Sequence, residues 1–258
     1  MHSMEEKLKA FERLLVVMDE LREKCPWDRE QTLDSLRNLT IEETYELADA
    51  IMDQDLEEIR KELGDLMLHI VFYSKIGSEK GAFDVADVLH GICNKLVFRH
   101  PHVFGKCKVK DAGEVLENWE ELKMKEGNRS VLAGVPVSLP AMIKAHRIQD
   151  KVRAVGFDWD HREQVWDKVN EEIQEVRHEL NNGQEKKKME EEIGDLLFSL
   201  INAARLYDVE PETALERTNR KFIHRFKYLE NKALEMNRSL KEMTLEEMEQ
   251  IWQEAKSV

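Results

Sequence analysis

The sequence has little of what would indicate a disulfide-bonded, zinc-binding or membrane-spanning protein. Its three cysteines, Cys25, Cys93 and Cys107, form no CxxC pair and leave an odd residue over. This argues against both a disulfide framework and a zinc site. No apolar run approaches the length of a membrane span, and residues 1–11 lack the apolar core of a signal peptide. We therefore expect a cytoplasmic protein without a membrane partner.

Glycine and proline are also scarce, with 11 and 5 among the 258 residues, whereas 36% of the residues are charged. Apolar residues recur at steps of three and four over long windows, as Leu8, Phe11, Leu14, Leu15 and Met18 do. This composition and periodicity predict an all-α protein. The formal net charge of -14 argues against a nucleic-acid polymer as partner, because phosphate backbones are bound by clusters of Lys and Arg.

Capping residues and helix breakers divide the chain into predicted helices. A capping box at Thr40-Ile41-Glu42-Glu43 predicts the start of a second helix after a first one over 4–24. Residues 127–140 are the least helical and predict a linker between an N-terminal domain, 1–126, and a C-terminal domain, 141–258. Further helices are predicted at 55–75, 85–98, 114–126, 141–155, 164–180, 188–207 and 211–236, and a last one after a capping box at Thr244.

The two halves carry the same elements in the same order, which predicts a duplicated domain. A recurring unit of this size differs from a solenoid repeat, whose periods are far shorter. The paired elements are Trp27-Asp28 and Trp159-Asp160, Glu42-Glu43-x-x-Glu46 and Glu171-Glu172-x-x-Glu175, Glu62-x-x-Asp65 and Glu192-x-x-Asp195, Lys95-x-x-x-Arg99 and Lys221-x-x-x-Arg225, and Trp119-x-x-x-Lys123 and Trp252-x-x-x-Lys256.

The EExxE and ExxD segments predict a metal site. Residues three or four apart share a helix face, so two such helices side by side bring four carboxylates together. Their repulsion calls for a cation, and Mg²⁺ takes hard oxygen ligands while keeping positions for water or substrate phosphate. A lone EExxE among 53 acidic residues is more often a solvated helix face. Repetition of the whole set favours metal, as do Gly64 and Gly194, where we expect a backbone or a ligand to approach closely.

These motifs resemble those of the all-α nucleoside triphosphate pyrophosphohydrolase superfamily. The order EExxE, ExxD, KxxxR carries the resemblance, and CPWDREQT, NRSVLAGVPVSLPAM and VGFDWD make nearly the whole chain similar to the MazG family within it. The resemblance implies two tandem helical-bundle domains packed in a homodimer. It also implies magnesium-dependent hydrolysis of nucleoside triphosphates, ATP included, to monophosphate and pyrophosphate. Broad base tolerance and a role in nucleotide-pool housecleaning are part of the same implication.

The resemblance assigns roles to residues of the second half, which we take as the principal catalytic site. Glu171 would orient or activate the attacking water, and Lys221 and Arg225 would grip the phosphates. The implied metal ligands are Glu172, Glu175, Glu192 and Asp195. The residues implied to line the nucleotide pocket are Lys168, Asn219, Trp252 and Lys256.

The sequence of the first half predicts an additional, weaker site. Cys93 stands where the second half has Asn219, and His100-Pro101 ends the helix that Phe226 continues. The acidic and basic positions are nevertheless retained, as Glu42, Glu43, Glu46, Glu62, Asp65, Lys95 and Arg99.

Two other classes of protein compete with this interpretation. A carboxylate-bridged di-iron bundle would need ExxH motifs, but Asp65 and Asp195 stand where the histidines would be. A non-catalytic acidic helical adaptor that binds partner proteins stays as the alternative. Saturable heat on titration with magnesium and a non-hydrolysable nucleotide would separate an enzyme from such an adaptor.

Overall fold

The computed structural model of the protein describes residues 1–111, 113–115, 118–119, 122, 130–182 and 185–256. Helix is the regular structure throughout these residues, with no strand among them, which confirms the predicted all-α class. None of the described helices is long and apolar enough to cross a membrane. The chain divides into two compact units, residues 1–108 and 109–258. The domain boundaries at 126 and 141 stay a prediction.

The first unit shows where its second long helix begins. Thr32 caps it, because the Thr32 hydroxyl accepts from the Ser35 backbone N–H at 3.1 Å and the Ser35 hydroxyl accepts from the Thr32 N–H at 2.9 Å. The start predicted at Thr40 is wrong, since the Thr40 hydroxyl donates to the Leu36 carbonyl inside the helix instead. The described helices of this unit are α1 (Met4–Lys24), α2 (Pro26–Glu30), α3 (Leu33–Asp53), α4 (Leu56–Glu79), α5 (Val85–Arg99) and α6 (Pro101–Phe104).

The first unit is built around α4, which packs along α3 and against α1. An ion pair and a cation–π contact also join α1 to α4. The Arg22 guanidinium donates to Glu79 at 2.9 Å and lies over the Phe72 ring at 5.4 Å from its centroid. The buried core residues of the unit are Met18, Leu36, Val71, Phe72 and Ile76. This packing fixes the EExxE face of α3 beside the ExxD face of α4.

The second unit confirms the capping box at Thr244, whose N–H and hydroxyl bond reciprocally with Glu247. Most of the helix predicted at 114–126 lies outside the described residues, and so does Lys123, the last member of the fifth repeated element. The described helices here are α7 (Ala141–Arg153), α8 (Val165–Asn182), α9 (Lys186–Leu206), α10 (Pro211–Glu235) and α11 (Leu245–Glu254), with 3₁₀ turns at Arg162–Gln164 and Leu240–Glu242.

In the second unit, α8 packs along α9, and α7 contacts both α9 and α10. Val165, Val169 and Ala203 form the buried contact between α8 and α9. A second apolar cluster, which includes Leu229 and Ile251, joins α10 to α11. The arrangement repeats that of the first unit and places the second EExxE segment beside the second ExxD segment.

An ion pair holds the loop of residues 154–161, which connects α7 to the turn before α8. Gly156 has φ +84°, a left-handed conformation that glycine adopts without steric cost. Two residues later, Asp158 accepts from the buried Arg205 of α9 at 3.1 Å, and Arg205 also donates to Asn202 at 3.0 Å. Burial raises the pKa of Asp158, but the hydrogen bonds and charge of Arg205 outweigh it and lower that pKa overall.

Candidate active site

The second unit gathers the carboxylates of Glu172, Glu192 and Asp195. One oxygen of each lies within 4.8 Å of the others, because α8 carries Glu172 directly beside the ExxD face of α9. Glu172 is 4% exposed, and its Oε2 finds no hydrogen-bond partner among the described residues. A buried carboxylate oxygen without a partner is costly unless a cation or a donor satisfies it. We call these three residues the second acidic cluster.

Glu175 lies at the edge of the second acidic cluster. A hydrogen bond with the Glu172 carboxyl raises the pKa of Glu175, and desolvation and the charges of Glu172 and Glu192 add to the shift. Crowded carboxylates favour the protonated form in this way when nothing positive lies between them. The structure thus brings Glu175 close to the three clustered residues, as the spacing along α8 predicts.

Lys168 of α8 places a positive charge next to the second acidic cluster. Its Nζ lies 2.7 Å from Glu172 Oε1 and 3.0 Å from Glu171 Oε1, one turn along the same helix. These hydrogen bonds raise the pKa of Lys168, so its ammonium stays charged. Lys168 therefore neutralises part of the acidic charge and holds Glu171 beside the second acidic cluster.

The first unit has a corresponding cluster, which we call the first acidic cluster: Glu43, Glu62 and Asp65, again within 4.8 Å of one another. Glu62 is 6% exposed and its Oε2 has no hydrogen-bond partner among the described residues, as for Glu172. Burial raises the pKa of Glu62, and the charge of Glu46 adds to the shift. Burial also raises the pKa of Glu43, and here the charge of Asp65 contributes. Both units therefore accumulate negative charge at the same place in the fold.

Two differences separate the clusters. Counting back four residues from Glu43 and Glu172, Leu39 stands where the second unit has Lys168. Behind the first cluster, the Thr40 hydroxyl lies 2.7 Å from the Nδ1 atom of buried His69 and 2.6 Å from the Tyr73 hydroxyl. At the three corresponding positions the second unit has Val169, Ser199 and Ala203. Sequence reasoning missed this network, because nothing in the spacing of residues 40, 69 and 73 indicates contact.

Both clusters fit a divalent cation on the chemistry of their donors. All the gathered ligand atoms are carboxylate oxygens, which suit Mg²⁺ and similar hard ions rather than soft ones. Each cluster also has a buried carboxylate oxygen that lacks a partner among the described residues. A bound cation would satisfy that oxygen and offset the repulsion within the cluster.

A cavity of about 750 Å³ opens beside the second acidic cluster. Its volume is in the range of small-molecule sites. The charged residues of its wall are Glu172, Asp195, Lys168, Arg205 and Asp158. The remaining wall is formed mainly by apolar side chains and Gln149: Ile148, Gln149, Val152, Phe157, Trp159, Val165 and Phe198. The cavity wall therefore combines charged and apolar surface, which suits an amphiphilic anion.

The predicted residues of α10, of α11 and of the turn after it lie outside the wall of this cavity among the described residues. Arg225 lies 5.9 Å over the Trp252 ring, and Phe222 packs against the same ring at 4.9 Å between centroids. Asn219 donates to Glu216 at 3.1 Å, and Lys256 donates to Gln253 at 2.7 Å. Lys221 is exposed on α10. Among the described residues that line the cavity, none comes from α10 or α11, so within this chain these side chains do not join its wall.

The corresponding basic residues of the first unit, Lys95 and Arg99, lie in the last turns of α5, and Glu42 is exposed on α3. The close approach expected at Gly64 and Gly194 is not made by this chain. A Cβ at either position would meet no described atom within 4 Å beyond its own helix. Packing inside the described chain therefore does not explain the two glycines.

Comparison with known proteins identifies the family. The profile of the MazG nucleotide pyrophosphohydrolase domain matches residues 31–104 and again residues 161–229. The chain is 41% identical over 257 residues to the nucleoside triphosphate pyrophosphohydrolase of Escherichia coli (strain K12), across 96% of this chain and 98% of that protein. It is 39% identical over 251 residues to the nucleoside triphosphate pyrophosphohydrolase/pyrophosphatase MazG of Thermotoga maritima, across 95% of each.

A third relative, the uncharacterized protein YabN of Bacillus subtilis (strain 168), is 44% identical over 259 residues, which are 98% of this chain and 53% of that protein. The two profile matches confirm the tandem duplication that the repeated motifs predict. With its helical units and paired acidic clusters, the chain is of the all-α nucleotide pyrophosphohydrolase class. It belongs to the MazG nucleotide pyrophosphohydrolase family.

Proposed function

We propose that the chain hydrolyses nucleoside triphosphates to nucleoside monophosphate and pyrophosphate, with magnesium as cofactor and with the second acidic cluster as the principal site. The main support is that two members of this cluster, Glu172 and Asp195, line a cavity of about 750 Å³. A buried oxygen of Glu172 also lacks a hydrogen-bond partner among the described residues. The names of the Escherichia coli and Thermotoga maritima relatives, both nucleoside triphosphate pyrophosphohydrolases, support the reaction.

Glu172, Glu175, Glu192 and Asp195 would hold the magnesium ion. When bound, it would neutralise charge on the phosphate oxygens and help to position them. Glu171 is exposed beside the cluster and is held by Lys168, so it can accept a proton from a water molecule. In the proposed reaction a water oxygen forms a bond to the α-phosphorus, the bond to the bridging oxygen breaks, and pyrophosphate leaves.

Lys168 would bind the substrate phosphate in addition to pairing with the glutamates of α8. Its ammonium reaches Glu172 and lines the cavity, so a phosphate placed between them would gain a charged donor. Lys221 and Arg225 stay proposed phosphate-binding residues, and Asn219, Trp252 and Lys256 proposed nucleotide-binding residues. Because none of them lines the cavity among the described residues of one chain, we propose that they act where a second copy covers the site.

An exposed apolar stripe on α9 supports the proposed homodimer. Its residues are spaced four and three apart, so they lie on one helix face. Apolar side chains gathered on one face and left in water indicate an interaction surface. The stripe consists of Ile193, Leu197 and Leu200, which are 42%, 50% and 41% exposed, and its counterpart on α4 consists of Leu63, Met67 and Ile70, which are 52%, 42% and 46% exposed.

Product analysis tests the proposed reaction. Purified protein is incubated with magnesium and ATP, GTP, CTP or UTP, and the products are separated by anion-exchange chromatography. We expect monophosphate and pyrophosphate in equal amounts, and no turnover when EDTA removes the metal. Diphosphate with orthophosphate would refute the proposal. Broad base tolerance and a role in nucleotide-pool housecleaning stay predictions from the family resemblance. A cytoplasmic location stays a prediction from the sequence.

A further inference from the structure

Gln149 on α7 is buried in the cavity wall with half of its amide satisfied. The side chain is 3% exposed, and its Nε2 donates to the backbone carbonyl of Phe198 at 2.9 Å. Its Oε1 finds no hydrogen-bond partner among the described residues. Since the carbonyl of Phe198 can accept but not donate, the amide orientation is fixed, with the oxygen left as an acceptor. A buried acceptor of this kind is unfavourable alone and points to a donor supplied from outside the chain.

The surroundings of Gln149 indicate what kind of molecule brings that donor. Ile148, Val152 and Phe198 line the same cavity as Gln149 with apolar side chains, and the charged residues Lys168 and Glu172 line it as well. Phe157 also lines the cavity and is 79% exposed, which leaves its ring free to stack on a flat ligand. A flat, largely apolar group with an N–H donor, attached to an anion, fits this arrangement.

We propose that the cavity binds the nucleobase of the substrate and that Gln149 Oε1 accepts a hydrogen bond from an N–H group on the Watson–Crick edge of the base. The inference rests on the proposed function and adds to it the way in which the base is recognised. Adenine and cytosine offer an exocyclic amino group there, and guanine, uracil and thymine a ring N–H. A single acceptor therefore recognises each of these bases without selecting one, which would give the predicted broad base tolerance a structural cause.

A substrate without the N–H donor tests the inference. Purine riboside triphosphate has the ring and phosphates of ATP, but it has neither an amino group nor a ring N–H on that edge. We expect the kcat/KM of the wild-type protein for ATP to exceed that for purine riboside triphosphate by about tenfold, the range of one buried hydrogen bond. Inosine triphosphate, which has a ring N–H, should behave like ATP. Equal values for all three in the wild-type protein would overturn the inference.

The Gln149→Leu variant separates recognition from structure. We expect the ratio between ATP and purine riboside triphosphate to fall from about tenfold to about one, mainly through loss of kcat/KM for ATP. If Gln149 only supports the Phe198 carbonyl, the variant will lower both substrates equally and keep the ratio, which would overturn the inference. Gln174→Leu, an exposed glutamine of α8, is the matched control and should keep the wild-type ratio.

A binding measurement without turnover gives an independent readout. Calorimetric titration with AMP and with purine riboside monophosphate in EDTA should show the same preference for AMP in the wild-type protein, and none in Gln149→Leu. Equal affinities in the wild-type protein would overturn the inference whether or not the variant folds. Absence of pyrophosphate from every triphosphate would refute the proposed function, whereas pyrophosphate release without any dependence on the N–H group would refute only the role of Gln149.

Discussion

At the scale of single residues, Lys168 occupies the position of a counter-cation in the second acidic cluster. Its ammonium lies 2.7 Å from Glu172. A divalent cation bound by that carboxylate must therefore displace the ammonium or share the carboxylate with it. We expect Lys168→Met to bind Mg²⁺ more tightly than the wild-type protein in the absence of nucleotide, because a competing positive charge is removed. Isothermal titration calorimetry measures this affinity directly.

The matched control for that change is Lys187→Met on α9. Lys187 is 81% exposed and pairs with Glu191 at the limit of an ion pair, 4.0 Å, so it removes the same charge away from the cluster. Its magnesium affinity should stay near that of the wild-type protein. Weaker magnesium binding by Lys168→Met would contradict the assignment of Lys168 as a competitor for the site.

Glu175 predicts how stability depends on pH when no metal is bound. Its folded pKa is raised above the ordinary value of 4.5, first by the hydrogen bond with Glu172. A raised carboxyl pKa means that the stabilising contribution is complete below about pH 4.5 and is lost as the pH rises through the folded pKa. In EDTA, we expect the thermal midpoint of the wild-type protein to fall relative to that of Glu175→Gln over this interval and then to run parallel. A difference between the two midpoints that does not change with pH would contradict the crowding of carboxylates.

The acidic residues of the site were predictable from the sequence, whereas Gln149 and His69 were not. The spacing of Glu172, Glu192 and Asp195 along two helices indicates the cluster, and so does the repetition of that spacing in the first half. Gln149 donates to the carbonyl of Phe198, 49 residues away in the sequence. Its oxygen is buried and lacks a partner among the described residues, and one sequence reveals neither fact. Residues that act through contacts between distant segments carry no local pattern.

At the scale of elements, the ion pair between Asp158 and Arg205 sets the position of the loop that carries Phe157. The Arg205 side chain is 4% exposed and the Asp158 side chain 19% exposed, so the pair is largely protected from water. We expect Asp158→Asn to lower the free energy of unfolding by about 2 kcal/mol, less than for a fully buried pair. The KM for nucleotide should rise as well, because the loop lines the cavity.

Denaturant unfolding near neutral pH and in acid checks this prediction. Because the folded pKa of Asp158 lies below its ordinary value of 3.8, its stabilising effect is present above that pH and is lost as the pH falls through the folded pKa. The difference between Asp158→Asn and the wild-type protein should therefore shrink in strong acid. Asp160→Asn, an exposed position in the same loop, serves as the control and should stay close to the wild-type stability.

Helix boundaries show where local sequence signals compete. Thr32 and Thr40 both precede acidic or polar residues that suit a capping box, but only Thr32 caps α3. Thr40 lies within the helix. Its hydroxyl donates to the Leu36 carbonyl and lies within hydrogen-bond distance of His69 Nδ1. Tertiary contacts thus decided between two plausible starts, whereas the isolated signal at Thr244 was sufficient by itself.

At the scale of the whole molecule, the apolar stripe on α9 predicts self-association. We expect the wild-type protein to sediment as a dimer at micromolar concentrations and Leu197→Asp to shift it to monomer, because a charge would be buried in the contact. Leu197 is 50% exposed, so the monomer should fold with the change. Val137→Asp is the control, since Val137 is 91% exposed and lies outside the stripe. A wild-type protein that sediments as monomer at all concentrations would contradict the proposal.

The duplication was the most predictable feature at this scale, because five elements recur in order and two profile matches confirm it. The relation of α10 to the cavity was not predictable. The motif order places Lys221 and Arg225 after the carboxylates in sequence, but the fold of one described chain leaves them outside the cavity wall. Motif order gives the positions of these residues along the sequence, but it does not give their positions relative to the cavity.

The second acidic cluster is the proposed place of turnover. The most direct test measures pyrophosphate release from ATP with magnesium for the wild-type protein, Glu172→Gln and the matched variant Glu43→Gln of the first acidic cluster, each checked for unchanged helicity. We predict a fall in kcat of about 100-fold or more for Glu172→Gln and a much smaller change for Glu43→Gln. If Glu172→Gln turned over ATP at the wild-type rate, or if both variants lost kcat equally, the second acidic cluster would not be the principal site.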